Sequence, residues 1–275
     1  MAWSESGRQS CTPVRSLPRI KAHCIDIHDY DRTNITEPWK EYPASRGCLA
    51  SSFLLSDLFL PLEAEVGRII PQDSIAGFNL LLFGPALRPD GSLHFDSLLV
   101  TNHGGGGTVS SRPLSSAEQS CGCISNAVDG TIPAWPKVDH AAQEFGRLLY
   151  KLSPSMSEAE LTDGLFEMLR RVSCHSISVI LLTYVEISPK SWRSPQHITS
   201  RIELRNTVHV APFPTPGANL YYGTRLSSVL LVKKSGEALF IERDIWRLVD
   251  EKPVKADPRT QREFRFRVFP HGPEI

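Results

Sequence analysis

Residues 221–243, Y-Y-G-T-R-L-S-S-V-L-L-V-K-K-S-G-E-A-L-F-I-E-R, restrict the fold more than any other part of the chain. Two β-rich runs, 227–232 and 238–241, flank Lys233, Lys234, Ser235 and Gly236, a polar break whose glycine supplies the backbone freedom of a tight turn. The stretch reads as a β-hairpin. Val229, Leu230, Leu231 and Val232 run continuously apolar instead of alternating, which a strand does when both its faces are covered. The hairpin is therefore predicted to lie inside a layered sheet.

A chain of 275 residues, 41% of them hydrophobic, can bury a sizeable core, and one large domain is the favoured arrangement. Basic and acidic residues both total 30, with no long run of either sign, so nucleic acid and anionic membrane surfaces are poor candidates as partners. The first thirty residues mix Arg8, Arg15, Arg19, Asp26 and Asp29 with serines and prolines and lack the apolar centre of a signal peptide. The longest apolar stretch, 179–182 with Tyr184 and Val185 beyond it, is far shorter than the roughly 20 residues of a membrane helix.

The six cysteines (Cys11, Cys24, Cys48, Cys121, Cys123, Cys174) read as reduced thiols, and Cys121-Gly122-Cys123 as two small residues of a strand rather than a metal site. No H-x-x-x-H pair occurs among the nine histidines, and neither a resident metal nor a cofactor is indicated. Asn34-Ile35-Thr36 fits a glycosylation sequon by chance composition. Asn102-His103 followed by Gly104 to Gly107 invites a phosphate-loop reading. No Lys-Ser or Lys-Thr follows, and Pro113 soon interrupts, so a flexible connection between strands is preferred.

Residues 1–43 are predicted to be a loosely ordered arm with one short strand around Ile25 and Ile27, and residues 44–275 a single α+β domain. A short helix is expected over 51–60, ending at Pro61. A hairpin is expected from 77–83 and 97–101 around Arg88-Pro89-Asp90-Gly91. Residues 121–126 read as a strand. Helices follow over 141–152, striped by Phe145, Leu148, Leu149 and Leu152, and over 158–172, opened by a Ser157–Glu160 capping box. Residues 177–187 and 207–212 are read as extended. Alternation of Phe264, Phe266 and Val268 with Arg265 and Arg267 predicts an edge strand. Strands at both ends around a central helix pair fit an α+β layered domain.

Several segments carry a resemblance: Ala44-Ser45-Arg46-Gly47, Gly77-Phe78-Asn79, Ile124-Ser125-Asn126-Ala127, Trp135-Pro136-Lys137-Val138, and Tyr222-Gly223-Thr224-Arg225 running into the hairpin with Ile241-Glu242-Arg243. In this order and spacing, over 44–247, the chain resembles the transport and Golgi organisation protein 2 family, also called the NRDE family. The resemblance implies an N-terminal nucleophile hydrolase-like fold, a four-layer α-β-β-α sandwich. Members typically begin Met-Cys and carry an Asn-Arg-Asp-Glu signature. Here Ala2 follows Met1, and residues 29–34 read D-Y-D-R-T-N. An N-terminal nucleophile needs a thiol or hydroxyl beside its own α-amine. The expectation is a divergent or shortened member whose sandwich is incomplete at its opening strands.

Asn126, Lys137 and Arg225 match the family segments and are the candidate ligand-cleft residues. Asn126 would donate to a carbonyl or oxyanion, and Arg225 would pair with an acidic group. The bland readings stand beside these: Asn126 caps a turn, Arg225 bridges to Glu242 or Asp244, Trp135 and Pro136 plug the core, and Arg46 is structural. The resemblance implies a non-catalytic factor in Golgi organisation and protein secretion, cytoplasmic or Golgi-associated, with secretory-pathway proteins as partners and haem or lipid as cargo. Its alternative is an amidohydrolase of the N-terminal nucleophile type, and no catalytic residue is assigned.

Overall fold

A computed structural model describes residues 23–24, 42–43, 46–56, 60–70, 75–125, 127–130, 134–171, 204–214 and 221–268. In chain order the elements begin with β1 (His23–Cys24), α1 (Gly47–Leu54), α2 (Leu62–Ile69), β2 (Asn79–Leu87), β3 (Leu93–Thr101) and β4 (Ser110–Pro113). Helices α3 (Ser116–Cys121), α4 (Pro136–Tyr150) and α5 (Glu158–Arg171) come next. The chain then forms β5 (Phe213–Pro214), β6 (Tyr221–Tyr222), β7 (Leu226–Val232), β8 (Glu237–Asp244), β9 (Trp246–Val249), β10 (Lys252–Lys255) and β11 (Arg262–Arg267). This is mixed α and β structure with small antiparallel sheets.

Both anticipated hairpins form. Strands β2 and β3 pair from Asn79↔Thr101 to Leu87↔Leu93, and the turn between them is closed by Arg88 N–H donating to Ser92 O (2.9 Å), with Gly91 at φ 77°. Strands β7 and β8 pair from Leu226↔Asp244 to Val232↔Ala238. Gly236, at φ 84°, closes that turn, and a Cβ there would stand 2.5 Å from Val268 O, so only glycine fits. Strand β11 lies along the other side of β8, giving the order β11-β8-β7. The other main sheet runs β1-β2-β3-β4.

Strand parity distributes the side chains among three cores. Leu80, Leu82, Leu98 and Val100 face α1 and α2, meeting Leu49, Phe53, Val66 and Ile69. On the opposite face of β2 and β3, Leu93, Phe83 and Phe95 pack against Ala238, Leu230, Val232, Phe266 and Val268. The far side of β7 and β8, with Val229, Leu231, Leu239 and Ile241, is covered by Leu165, Phe166 and Leu169 of α5. The unbroken apolar run of the hairpin thus has the cause inferred for it, cover on both faces. Arg243 ties this last pair of layers together: its guanidinium lies 4.1 Å from the Phe166 ring centroid and donates to Asp163 Oδ1 at 2.7 Å.

Helix α5 opens as its sequence predicts, with Ser157 Oγ accepting from Glu160 N–H (3.2 Å) and Ser157 N–H donating to Glu160 Oε2 (2.8 Å). Strand β11 is an edge, with Phe264 half in solvent and stacked 6.2 Å from Phe240. Helix α4 starts five residues earlier than the expected 141, because Pro136 at its first position presets the helical φ.

Four expectations are corrected. The strand expected over 121–126 is absent from its described residues, 121–125: a second capping box, Ser115 with Glu118, opens α3, which closes at Cys121. The helix expected over 51–60 lies instead at Gly47–Leu54, and α2, after Pro61, was not anticipated. Residues 207–212 form no strand beyond a single bridge at Thr207; their backbone groups bond to Thr224 instead. The glycine run after His103 is a pinned turn, in which Gly107 N–H donates to Gly104 O (2.9 Å) and Gly106 N–H to Ile75 O (3.0 Å). The β9–β10 hairpin also went unread. Its turn uses Asp250 and Glu251 at φ 48° and 58°, without the glycine that marks such turns. The strand around Ile25 and Ile27 and the extended run 177–187 lie outside the described residues.

Candidate functional site

Three of the family-like segments, around Arg46, Asn79 and Ser125, converge through a buried polar knot. Asn102, fully buried at the end of β3, accepts Phe78 N–H (3.0 Å) on Oδ1 and donates from Nδ2 to Ile75 O (3.3 Å) and Ala76 O (3.1 Å). Arg46 is buried before α1, and its Nη1 donates to Gly77 O at 2.9 Å. Asn79, at the start of β2, sends Nδ2 across to Ser125 O (2.8 Å) and Ala127 O (2.6 Å). The segment that includes Asn126 is therefore tethered to β2 on both sides of that residue. Asn126 itself lies outside the described residues. These bonds satisfy backbone groups that no helix or sheet serves, a structural task.

Lys137 has different surroundings. It is the second residue of α4, directly after the Trp135-Pro136 step, and its Nζ lies 5.1 Å from the centroid of the Trp135 ring. Arg205, in a short 3₁₀ turn after buried Leu204, brings its guanidinium carbon to 5.3 Å from the same centroid. Two cations at one indole form a cation–π cluster. Trp135 is only 2% exposed, yet among the described residues its Nε1–H has no acceptor, and the buried Arg205 Nε has none either. Burial pulls the Lys137 amine down from its ordinary value to about 8. Such an amine is partly neutral near physiological pH, a state that allows nucleophilic chemistry, and an anion beside it would favour the ammonium.

Arg225 stands elsewhere, exposed at the entry to β7. Its carbonyl accepts from Ile245 N–H (2.7 Å) and Trp246 N–H (3.1 Å), which sets the corner between β8 and β9. The ion pair foreseen with Glu242 or Asp244 belongs to Arg262, which reaches Asp244 at 2.9 Å and Glu242 at 3.2 Å. Arg225 adds its field at Asp244, a secondary influence beside the Arg262 hydrogen bonds that hold that carboxyl below its usual range. Lys137 and Arg225 share no described contact. The preceding Thr224 takes Val210 N–H (2.8 Å) and donates to Val208 O (3.1 Å). Gly223 passes so close to Pro212 and Val210 that a Cβ would come within 3.0–3.2 Å of their backbones. The Tyr-Gly-Thr-Arg segment is thus a clamp on 208–212.

Two thiols offer little reactivity. The Cys121 S–H donates to Ala142 O (3.4 Å), and burial, followed by the neighbouring Cys121, pushes the Cys123 thiol up to about 11. Among the described residues no three His, Cys, Asp or Glu side chains gather to hold a metal. An open cleft of about 470 Å³ lies at the turn end of the β7–β8 hairpin, lined by Glu158, Lys233, Glu237, Arg265 and Phe266 among others. Its charges are already paired, Lys233 with Glu237 (2.8 Å) and Arg265 with Glu158 (2.6 Å). Close by α3, Arg112 forks onto Glu118 and Asp129 at 2.8–3.0 Å, and those hydrogen bonds hold Glu118 down to about 2.

The indole cluster contains Lys137, which was legible as a candidate, and Arg205, which was not. Arg205 sits in an unremarkable L-R-N context, and no spacing connects it to Trp135, seventy residues earlier. Trp135 was readable only as a core plug. Its burial agrees with that, but its two cations and unmet N–H add what the sequence did not show.

Fold and site together define an α+β protein in which Arg46, Asn79 and Asn102 tether three of the motif-bearing segments, and in which one buried indole carries two cations. The sequence matches the family described as Transport and Golgi organisation 2 over residues 29–247, and the chain belongs to that family. No curated protein matches it as a relative. Membership supports a Golgi- and transport-associated role in general terms. No helix of the described residues is long and apolar enough to cross a membrane.

Proposed function

We propose that the chain is a non-catalytic binding factor in Golgi organisation and protein secretion, working at the Golgi or on its cytoplasmic side by handling haem or a lipid. The observation that carries this reading is the family match across residues 29–247, which spans every tethered segment of the candidate site. Support for binding over catalysis comes from the thiols, one committed to a backbone carbonyl and the other held protonated by burial. We also propose that the layers are those of an N-terminal nucleophile hydrolase-like sandwich. The order of the three cores supports it, from α1 and α2 through two sheets to α5. The alternative, an amidohydrolase of that type, draws its nucleophile from a free terminus and so falls outside the described residues.

The test is depletion of the protein in its own cells, followed by secretion of a reporter and imaging of Golgi morphology. Slowed secretion with a fragmented Golgi, restored by the full chain, is expected. Unchanged secretion and morphology would remove the trafficking role. Titration of the purified chain with hemin and with long-chain acyl vesicles then separates the two cargoes.

A further inference from the structure

We propose that Lys137, Arg205 and the Trp135 indole N–H together hold an oxyanion, the carboxylate or phosphate group of a small ligand. The inference goes beyond the trafficking role and does not depend on it.

The first argument is a contrast among arginines. Arg112, Arg262, Arg243, Arg265, Arg170 and Arg259 each donate to at least one described carboxylate. Arg205 makes no hydrogen bond or ion pair among the described residues; its one described contact is the Trp135 ring. A guanidinium is a rigid fork of donors matched to carboxylate and phosphate, and a half-buried one with a buried, unmet Nε has its anion still to find. The second argument is the indole. Buried tryptophan ordinarily satisfies its N–H, and Trp135, among the largest fully buried side chains of the molecule, does not. Unmet donors on both the ring and the guanidinium over it point to an acceptor supplied from outside.

The third argument is the helix. Trp135 is the N-cap of the fifteen-residue α4, no side chain caps that end, and the positive pole of the helix dipole therefore lies beside the same two cations. The only carboxylate in the first turn, Asp139, is exposed. The lowered affinity of Lys137 for its proton belongs to the same picture, since burial disfavours the ammonium and an incoming anion would favour it.

The test uses the full chain labelled with ¹⁵N. The Trp135 indole N–H is assigned by W135F and followed as inorganic phosphate, and separately acetate, is added. A saturable shift of that resonance is expected with at least one probe. R205Q should weaken binding about tenfold or more, as loss of a charge-assisted hydrogen bond does, while R205K retains part of it. Response to phosphate alone assigns a phosphate ester, and response to acetate alone assigns a carboxylate. A second readout needs no variant: at saturating probe the Lys137 amine should titrate above its unliganded value of about 8. No saturable shift with either probe, an unchanged Lys137 titration, or equal affinity in folded R205Q overturns the site.

Discussion

Asn102 and Trp135 both carry buried polar atoms, and they are opposites in how those atoms are used. Asn102 has donors and acceptor matched to three backbone groups. Trp135 gathers two cations and leaves its own N–H unmet. A satisfied network rigidifies and costs little to keep, whereas an unsatisfied one is a standing cost that a fold retains for another purpose. The difference separates scaffold from site without any bound ligand.

The comparison breaks most easily at Asn102. Asn102→Ala strips the Phe78 N–H and the Ala76 carbonyl of their partner in the interior and leaves Ile75 O with the Gly106 N–H alone, and about 3 kcal/mol of stability should be lost in urea denaturation. A loss below about 1 kcal/mol would mean that the knot is ornamental. Next comes Gly223→Ala, whose Cβ meets the 210–212 backbone at 3.0–3.2 Å; a destabilisation of about 1–3 kcal/mol is expected, read as a lowered Tm. An unchanged Tm would show the clamp to be slack.

Lys137 sharpens the other side. Below about pH 8 folded and unfolded chains both carry the ammonium, and the folded state bears the burial penalty in full. Between about 8 and the ordinary 10.5 only the unfolded chain keeps the proton, so this group makes stability rise with pH and then level off. Arg205 shares the Trp135 ring with it, and Asp139 and His140 follow on the same helix. In Lys137→Met that rise should disappear when denaturation is followed across pH 7–11; a rise as steep as wild type would deny the buried amine. The smallest effect belongs to Arg205→Gln, expected to change stability by less than about 1 kcal/mol, because the side chain forms no hydrogen bond that folding depends on. A large loss would make Arg205 scaffold after all.

Local chemistry explains what was readable. Both main hairpins, α5 and the β11 edge follow from alternation, capping boxes and glycine turns, each decided within a few residues of sequence. The reading failed where a local signal was overlooked or misleading. The Ser115–Glu118 box overrides the small residues that suggested a strand at Cys121, and Asp250-Glu251 turns without glycine. The site was half legible. Lys137 stood in a recognisable segment, but the Asn79 tether crosses 46 and 48 residues, and the Arg205 contact crosses about seventy; neither leaves a periodicity. The ion pairs with Glu242 and Asp244, read from the sequence as a bridge from Arg225, are made by Arg262, a residue from a strand that pairs with β8 only once the sheet is built.

Strand β8 carries a consequence for how the molecule comes apart. Ala238 packs toward β2 and β3, while Leu239 and Ile241 pack toward α5, so adjacent residues of one strand belong to different cores. Neither core can be lost without stripping a face of the strand that forms the other. Slippage by a single residue would exchange the two sets at once, placing leucine and isoleucine where alanine now fits. The sheet thus works as a shared wall, and the parts on its two sides must assemble, and melt, together.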